Sequence, residues 1–520
     1  MRLGIDFGTT RTVVAHADRG NHPVVDFVDA FGDSIAFIPS VVAERAGELR
    51  FGLDAEAVAE DPSFTVLRSF KRLLSGPNAG PRHTVAVGGT TLTVSSLIAS
   101  FLAHVRKALF ERSNLRRKRL SDRDLSVTVS VPANAFAGQR MVTLDAFREA
   151  GFTVGSMFNE PSAAGFEYAH RHRTTLTSRR DLVVVYDLGG GTFDASIVRM
   201  VGRHHDVLAT AGVSRLGGDD FDVALAELGL RTAGVGAEDL SPRTAAQWLA
   251  HCRAAKEALR PSSRKITLDL EGVLGPHAPV AELTLPTSAY YEACAPLVEH
   301  SLLAMSPLMA RAESEAAGEL GEIAGIYVVG GASELPVVGR LLRERFGRRV
   351  HRSPYPSAAV AIGLSIAGAE EDDFQLVDRY SRTFAVFREA EEGREVVLDP
   401  IFTRDTVVPG GAAPLSVSQW APQKRTYRAA HNVGRYRFFE CSEVDDRGKP
   451  KGDMSLCGDV LFPFEPGLSS EKDLTVVPIE RRTGEGPRIV EEYSLDDNGI
   501  VHLVIRNADS GYERTYRLGG

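Results

Sequence analysis

Two glycine-rich turns, each between two apolar strands, constrain the fold of this chain more than any other feature. The segments are "LGIDFGTTRTVVA", residues 3–15, and "VVVYDLGGGTFDASIV", residues 183–198. In each, a predicted strand ends near an Asp, a tight turn carries Gly and Thr, and a second strand follows. Glycine weakens a strand because it gives up packing and backbone entropy, so its repeated use here indicates a function. The repeat predicts an internal duplication, with two α/β lobes that face each other.

The chain is too long for one ordinary core, at 520 residues, and its pattern changes along its length. Strands and helices alternate over residues 1–369, which predicts one α/β domain. The acidic residues 370–381 predict an exposed linker with a short apolar patch that docks elsewhere. Residues 382–520 contain short alternating strands and predict an all-β domain, with a type I′ turn at Asn498 and Gly499. Predicted helices cover residues 95–112, 138–152, 245–260 and 287–315.

Composition and charge exclude several classes of protein. The net charge is −8 and the isoelectric point about 6.0, which argues against a general nucleic-acid or membrane binder. The four cysteines contain no CxxC pair, so neither a disulfide framework nor a zinc site is expected. The first apolar run carries Asp6, which a secretory signal would not, and no apolar stretch reaches 18 residues. These features predict a cytoplasmic protein.

The glycine-rich turns predict a nucleotide site. A turn without side chains lets backbone N–H groups converge on an anion, and Asp at a strand end can hold Mg²⁺ through water. One such turn is weak evidence, because many are only tight turns. Two turns with matching Asp and Thr residues are stronger evidence and predict a grip on both ends of a polyphosphate. A third segment, "IYVVGGASELP", places Gly330 and Gly331 where backbone can approach a nucleoside.

Six segments, taken in order, resemble the motifs of the heat-shock protein 70 chaperones. They are "GIDFGTT", "VPANAFAGQR", "NEPSAAGFEYA", "VYDLGGGTFDASIV", "LGGDDFD" and "VGGASELP". The resemblance implies an actin-like ATPase domain over residues 1–369. The later segments "FTRDTVVP" and "YSLDDNGIVHLVIRNADSG" resemble, more weakly, the opening and closing of the family's peptide-binding β-sandwich.

The resemblance also implies roles for individual residues. Asp6 and Asp187 would arrange Mg²⁺ through water, Lys71 would stabilise the transferring phosphoryl group, and Glu160 would couple the site to the moving lobe. On their own, Lys71 would be interpreted as a solvated helix residue, Glu160 as a helix-start carboxylate and Asp194 as a turn residue. The expected cofactors are ATP or ADP with Mg²⁺, and K⁺ as a further candidate. The implied catalytic residues are Lys71, Glu160, Asp187 and Thr192, and the implied nucleotide contacts are Asp6, Gly8, Thr9, Thr10, Gly189, Gly190, Gly191, Gly218, Lys256, Gly330 and Gly331.

Three further residues match positions through which the family passes the nucleotide state to its linker. Pro132 and Arg140 match a proline switch and a relaying arginine, and Asp378 matches a coupling aspartate in the linker. An equally good interpretation of the first two is a proline that ends a strand and an arginine in the first turn of a helix.

The chain departs from the family pattern where the adenosine would bind. The helix segment "HCRAAKEALRPSS" keeps Lys256 but has Arg253, Glu257 and Arg260 in place of an acid, a base and a serine. Glu334 stands where an arginine normally stacks on adenine. We therefore expect ATP to bind with reduced affinity, and the sequence leaves open whether Arg253 and Glu257 have exchanged roles.

Two departures concern the partners. Ser156 stands where the family has an arginine that receives its J-domain co-chaperone, so dependence on J-domain and nucleotide-exchange partners stays open. The sequence after residue 382 predicts a β-sandwich with no helical lid, from which we expect fast, weak peptide binding.

Together these features predict an ATP-dependent chaperone-like protein, in which slow ATP hydrolysis controls the binding of unfolded or extended peptide by the β-sandwich. The alternative is a nucleotide-gated regulatory or scaffold protein whose β-domain binds one dedicated protein partner. A small-molecule kinase is a third possibility, which the all-β tail disfavours.

Overall fold

The chain folds into a mixed α/β structure with several β-sheets. The computed structural model describes residues 1–76, 80–118, 125–172, 181–202, 204–275, 278–318, 323–369, 375–409, 421–445 and 447–519. Of the expected linker, residues 370–374 therefore lie outside the described residues. Within the described parts, no helix has both the length and the apolar character needed to cross a membrane.

The first part of the chain is built on a five-stranded sheet. Its elements are β1 (Arg2–Phe7), β2 (Arg11–His16), β3 (Phe27–Val28), β4 (Ser34–Ile35), β5 (Ile38–Pro39), β6 (Val41–Arg45), β7 (Glu48–Phe51), α1 (Gly52–Glu56), β8 (Thr65–Arg68), β9 (Thr84–Val87), β10 (Thr90–Thr93), α2 (Val94–Glu111), β11 (Ser126–Val131), α3 (Ala137–Glu149), β12 (Thr153–Asn159) and α4 (Glu160–Arg171). The sheet has the order β12-β11-β1-β2-β5, and smaller sheets join β3 with β4, β9 with β10, and β6 with β7 and β8.

The second part is built on a seven-stranded sheet. Its elements are β13 (Leu182–Leu188), β14 (Phe193–Val201), β15 (His204–Val213), α5 (Gly218–Ala233), α6 (Pro242–Glu257), β16 (Lys265–Asp269), α7 (Glu271–Leu274), β17 (Glu282–Pro286), α8 (Thr287–Gly318), β18 (Ile323–Val329), α9 (Pro336–Phe346), β19 (Val350–Arg352) and α10 (Ala359–Gly368). The sheet begins β19-β18-β13-β14-β15, and β16 pairs with β17 outside it.

The two large sheets share one topology. In each, an antiparallel hairpin, β1–β2 or β13–β14, lies beside two strands that run parallel to its first strand. The hairpins predicted from the two glycine-rich turns are therefore confirmed. The four helices predicted from periodicity are also present as α2, α3, α6 and α8, with boundaries shifted by at most three residues.

The segment predicted as an exposed linker is a strand where the structure describes it. Strand β20 (Gln375–Arg379) runs parallel to β15 and extends the seven-stranded sheet. Leu376 and Val377 are buried, so the predicted docking of the apolar patch is confirmed for these two residues, although the segment is a strand and not an exposed linker. The physical reason is that the apolar patch completes the open edge of β15, and this is a docking of the kind expected for the patch.

The last part of the chain is all-β where it is described. Its strands are β21 (Thr383–Ala390), β22 (Glu395–Phe402), β23 (Val407–Val408), β24 (Gln423–Arg428), β25 (Val433–Val444), β26 (Pro450–Pro463), β27 (Arg488–Leu495), β28 (Val501–Asn507) and β29 (Glu513–Leu518). They form two four-stranded sheets, β22-β21-β25-β26 and β24-β27-β28-β29, while β23 pairs with β20. Both sheets contribute buried aromatic rings, such as Phe438 and Tyr493, to one apolar core.

The hairpin turn between β27 and β28 differs from the prediction. Gly499 has a φ of +71°, whereas Asn498 is not among the described residues with positive φ, so the turn is not type I′. The Asp496 carboxylate accepts hydrogen bonds from the backbone N–H groups of Asn498 and Ile500, both at 2.9 Å. These hydrogen bonds favour a turn that is longer than the two-residue type I′ turn and in which only Gly499 has a left-handed backbone conformation.

Helix α10 packs so closely on its neighbours that two glycines have no room for a side chain. A Cβ on Gly363 would lie 1.8 Å from the carbonyl oxygen of Ala163 in α4, and one on Gly4 would lie 2.3 Å from that of Ala361. The close approach places α10 directly against both α4 and β1.

We expect Gly363→Ala to destabilise the protein by about 1–3 kcal/mol, because the backbone of α4 would have to move. Gly339→Ala in α9 is the matched control, since its Cβ would meet only the end of Arg343 at 3.7 Å. That substitution should stabilise the helix by about 0.5–1 kcal/mol. Urea unfolding of both variants tests the difference, and equal effects would contradict the packing argument.

Candidate functional site

A cleft of about 600 Å³ lies between the two halves of the α/β part, where the two glycine-rich hairpins meet. Helices α4 and α5 both begin at this cleft, and a helix N-terminus favours anions. Of the residues predicted to contact a nucleotide or act in catalysis, those that line the cleft are Asp6, Gly8, Thr9, Thr10, Lys71, Glu160, Asp187, Gly189, Gly190, Thr192, Gly218, Lys256, Gly330 and Gly331.

The two hairpin turns pack directly against each other. A Cβ on Gly190 would lie 2.5 Å from Oγ1 of Thr10, and one on Gly191 would lie 2.6 Å from Cγ2 of Thr9. Gly191 is therefore packed against Thr9 and is not part of the cleft lining. These contacts explain why the second turn needs bare backbone: any side chain would separate the hairpins.

Lys71 is buried at the bottom of the cleft. Its Nζ lies 2.8 Å from Oε1 of Glu160, and both residues are less than a tenth exposed. Burial opposes the charge on Lys71, but the Glu160 and Asp6 carboxylates outweigh it and raise the pKa of the lysine. Lys71 is therefore a fixed cation that faces the space between the hairpins.

Three aspartates share the same buried region. Burial, together with the charge of Glu160, raises the pKa of Asp6 to about 7 and that of Asp194 to about 7. The same two causes raise the pKa of Asp187, which pairs with Asp194 across the hairpin. Such a concentration of carboxylates around one lysine indicates that a further cation belongs here.

The residues present fit Mg²⁺ held through water. No group of three metal-ligating side chains is close enough, within the described ranges, to coordinate an ion directly. Mg²⁺ commonly keeps several waters and takes only one or two carboxylates besides phosphate oxygens. Asp6 and Asp187 line the cleft and satisfy that requirement.

Binding of MgADP should depend on pH. The folded-state pKa values of about 7 for Asp6 and Asp194 exceed the ordinary value of 3.8, so the ligand-free fold loses stability as pH rises from about 4 to about 7. The cation must displace those protons, so we expect MgADP to bind about tenfold more tightly at pH 8 than at pH 6. Calorimetry in two buffers measures affinity and proton release. In Asp194→Asn the pH dependence of MgADP affinity should shift to lower pH. A wild-type affinity that does not change with pH would contradict this prediction.

The far end of the cleft is crossed by ion pairs. Arg253 contacts Asp219 and Asp222, both at 2.8 Å, and Lys256 lies 2.6 Å from the same Asp222 carboxylate. Glu257 instead reaches across the cleft to Arg11 at 2.6 Å. Arg253 and Glu257 therefore have different partners on different sides of the cleft.

Pro132, Arg140 and Asp378 lie outside the cleft, on the side of the β part. The Arg140 guanidinium donates to the Asn159 side chain at 2.6 Å and to the backbone oxygen of Asn498 at 3.1 Å. Asp378 accepts from the same Asn159 side chain at 2.9 Å. Pro132 is buried just after β11 and accepts a backbone hydrogen bond from Ala135.

These contacts connect the cleft to the β part. Asn159 contacts both Arg140 and Asp378, and the next residue, Glu160, contacts Lys71. A second contact is made by Glu440 of β25, which accepts from the backbone N–H of Ala137 at 2.7 Å.

A buried arginine also joins the two parts. The Arg382 guanidinium stacks 3.9 Å from the ring centre of Phe136 and donates to the Asn134 side chain at 3.1 Å.

Sequence reasoning did not identify several of these residues. Asp194 was interpreted as a turn residue, yet it is buried beside Asp187, and its place opposite Asp187 in the hairpin was the available signal. Arg72, which donates to Asp220 at 2.7 Å, adjoins Lys71 and was overlooked. Nothing local identified Asn159 or Asn498, because their roles depend on chain segments more than 200 residues apart.

Comparisons with known proteins agree with this geometry. The family model described as "Hsp70 protein" matches residues 2–386 of the chain. A protein named "Chaperone protein HscA homolog" from Pseudomonas fluorescens is 34% identical over 383 residues, covering 70% of this chain and 57% of the relative. The chain thus aligns with less than two thirds of that relative's length.

Two other relatives carry the same name and align over 99% of this chain. The protein from Burkholderia multivorans is 32% identical over 533 residues, covering 77% of the relative. The protein from Haemophilus influenzae is 30% identical over 543 residues, covering 81% of the relative. The similarity therefore extends through the β part.

Proposed function

The chain belongs to the heat-shock protein 70 family, and from that premise we propose that it is an ATP-dependent chaperone. ATP hydrolysis in an actin-like domain, residues 1–369, controls the binding of extended peptide by a β-sandwich, residues 382–520. The observation that carries this proposal is the meeting of the two Gly-Thr hairpins around Lys71, Asp6 and Asp187.

Phosphoryl transfer to water needs positioning and charge neutralisation more than covalent chemistry. Thr9, Thr10 and the backbone of Gly189, Gly190 and Thr192 would hold the β- and γ-phosphates. Mg²⁺, when bound through Asp6 and Asp187, would neutralise phosphate charge. Lys71, held by Glu160, would stabilise the charge that develops on the transferring group.

The contacts that join the cleft to the β part support coupling between nucleotide and peptide. A change at the phosphates that moves Glu160 also moves Asn159, and through it Arg140 and Asp378, which Asn159 contacts separately. Arg140 in turn contacts the β27–β28 turn at Asn498. J-domain and nucleotide-exchange partners are included in this proposal only as candidates.

The test is steady-state ATP hydrolysis with and without an unfolded client, for which reduced carboxymethylated α-lactalbumin serves. We expect slow hydrolysis that the client accelerates several-fold. Arg140→Ala should keep basal hydrolysis and lose the acceleration, whereas Arg517→Ala, which removes a half-exposed contact to Asp145 between the same parts, should keep both. Hydrolysis without any peptide binding would instead favour a nucleotide-gated scaffold with one dedicated partner.

A further inference from the structure

The connection between β26 and β27 crosses the surface of the β part as a long extended strap. We call residues 464–487 the strap. It is longer than the roughly 15 residues at which connections without regular strands or helices of their own become uncommon, and long connections of this kind are often functional. Two short 3₁₀ turns are its only helical structure, and Leu474 is buried within it.

The strap is held by backbone hydrogen bonds to the loop between β24 and β25. The N–H of Asn432 donates to the carbonyl of Glu480 at 3.0 Å, and the N–H of Arg482 donates to the carbonyl of Ala430 at 2.9 Å. His431 and Arg481 face each other as an antiparallel pair between these two bonds. The strap therefore forms a single antiparallel β-bridge with this loop.

Side chains secure the same contact. The Asn432 amide donates to the backbone oxygen of Pro478 at 2.9 Å and accepts from the backbone N–H of Glu480 at 2.8 Å. The Arg481 guanidinium pairs with Glu389, at the end of β21, and His431 lies 3.7 Å from the other oxygen of that carboxylate. The strap thus spans the space between the β21–β22 turn and the β24–β25 loop.

The middle of the strap, residues 475–482, is weakly held compared with a regular strand, whereas its ends are held by backbone hydrogen bonds from Phe464 to Asn432 and from Ala429 to Pro487. Only one pair of residues forms the bridge, Arg481 is about half exposed, and the apolar residues Val476 and Ile479 are 72% and 47% exposed. A segment with few buried contacts and few backbone bonds opens at low free-energy cost.

The backbone groups that the strap uses are those that an incoming extended peptide needs. Strand addition pairs the N–H and C=O groups of an exposed edge with those of another chain. At residues 430–432 the chain already accepts an extended segment of its own, the strap. We propose that the strap is an internal occupant of a peptide-accepting edge at residues 430–432, so that a peptide from another protein must displace it. This inference rests on the proposed peptide binding and adds a location and a regulating element to it.

Competition predicts that loosening the strap tightens peptide binding. The apparent dissociation constant equals the intrinsic one divided by the fraction of molecules with the edge free. Arg481→Ala removes one half-exposed ion pair and should tighten binding about two- to fivefold. Arg435→Ala is the matched control, because Arg435 and Asp459 form a pair of equal exposure on the same β part without touching the strap. The peptide affinity of Arg435→Ala should equal that of the wild type.

A disulfide can lock the strap in place. The bonds on either side make 431 and 481 a non-hydrogen-bonded pair, for which Cα atoms lie about 4.5 Å apart, within the range of a disulfide. In His431→Cys/Arg481→Cys, the reduced protein should bind peptide at least as tightly as Arg481→Ala. The oxidised protein should bind about tenfold more weakly or not at all. The four native cysteines are buried, so oxidation addresses the new pair.

The measurement is fluorescence anisotropy of a labelled peptide with a central run of leucines, on the full chain with MgADP. Competition by an unlabelled peptide copying residues 474–487 is measured in the reduced double variant. We expect the copy to displace the leucine peptide. Equal, measurable affinity in the oxidised and reduced states would overturn the strap proposal and leave peptide binding intact. Absence of leucine-peptide binding in every variant and state would overturn peptide binding and, with it, the strap proposal.

Discussion

Lys71→Met is expected to lower the rate of ATP hydrolysis by about 10²–10³-fold, the usual effect of removing one group that stabilises transition-state charge. Lys71 is buried, and its ammonium group is directed by Glu160 toward the space between the two hairpins. Methionine keeps the length of the side chain and removes the charge. Single-turnover hydrolysis measures the chemical step, and calorimetry measures nucleotide affinity separately.

The loss of Lys71 also leaves Glu160 without its partner, so stability must be separated from rate. In Lys71→Met/Glu160→Gln the unpaired carboxylate is gone, and we expect thermal stability to recover while hydrolysis stays slow. Lys107→Ala, on the exposed face of α2, is the control for loss of a lysine and should hydrolyse ATP as the wild type does. If the double variant recovered the rate together with the stability, Lys71 would have only a structural role.

The hairpins were predictable because their signal is local. A strand, an Asp, a Gly-Thr turn and a second strand lie within about fifteen residues, and the close contact between Gly190 and Thr10 gives the reason for the glycine. The predicted helices were likewise periodic over several turns. Where neighbouring residues determine the structure, the sequence pattern was sufficient.

The remaining features depend on tertiary contacts that no local pattern records. The sequence predicts that the apolar patch with Leu376 docks elsewhere, but not that residues 375–379 form a strand on the free edge of β15. The Asn498–Gly499 pair is compatible with a type I′ turn, but hydrogen bonds to Asp496 and a contact with Arg140 favoured another geometry. The strap was not predicted, because its single bridge depends on a loop some fifty residues earlier in the chain.

The end of the cleft that Arg253 and Glu257 line shows the same limit. The sequence leaves open whether these two residues have exchanged roles, and in the structure Arg253 pairs with Asp219 and Asp222 on α5 while Glu257 pairs with Arg11 of β2. Both the positive charge of Arg253 and the negative charge of Glu257 are thus present, and each pairs with a residue of another helix or strand.

Asp222→Ala is expected to lower the free energy of unfolding by about 3–5 kcal/mol, the cost of leaving buried charges unpaired. The Asp222 side chain is fully buried and lies 2.8 Å from Arg253 and 2.6 Å from Lys256. Alanine removes both contacts at once, so the buried Lys256 loses the Asp222 carboxylate while Arg253 keeps only its contact with Asp219. Chemical unfolding without nucleotide measures the loss. Asp459→Ala, which breaks an exposed pair with Arg435, is the control and should cost less than about 1 kcal/mol.

The same carboxylate positions two cations that line the cleft, so stability and nucleotide affinity should separate in a second variant. Asp222→Ala/Lys256→Met removes the cation that has lost its carboxylate partner and should regain part of the lost stability. It should not regain nucleotide affinity, because Lys256 itself faces the cleft and donates to the backbone of Gly218 at 2.9 Å. If stability and affinity recovered together, Asp222 would act only through the packing of α5 on α6. If Asp222→Ala lowered the free energy of unfolding by no more than Asp459→Ala does, solvent and not the ion-pair network would hold Arg253 and Lys256 in place.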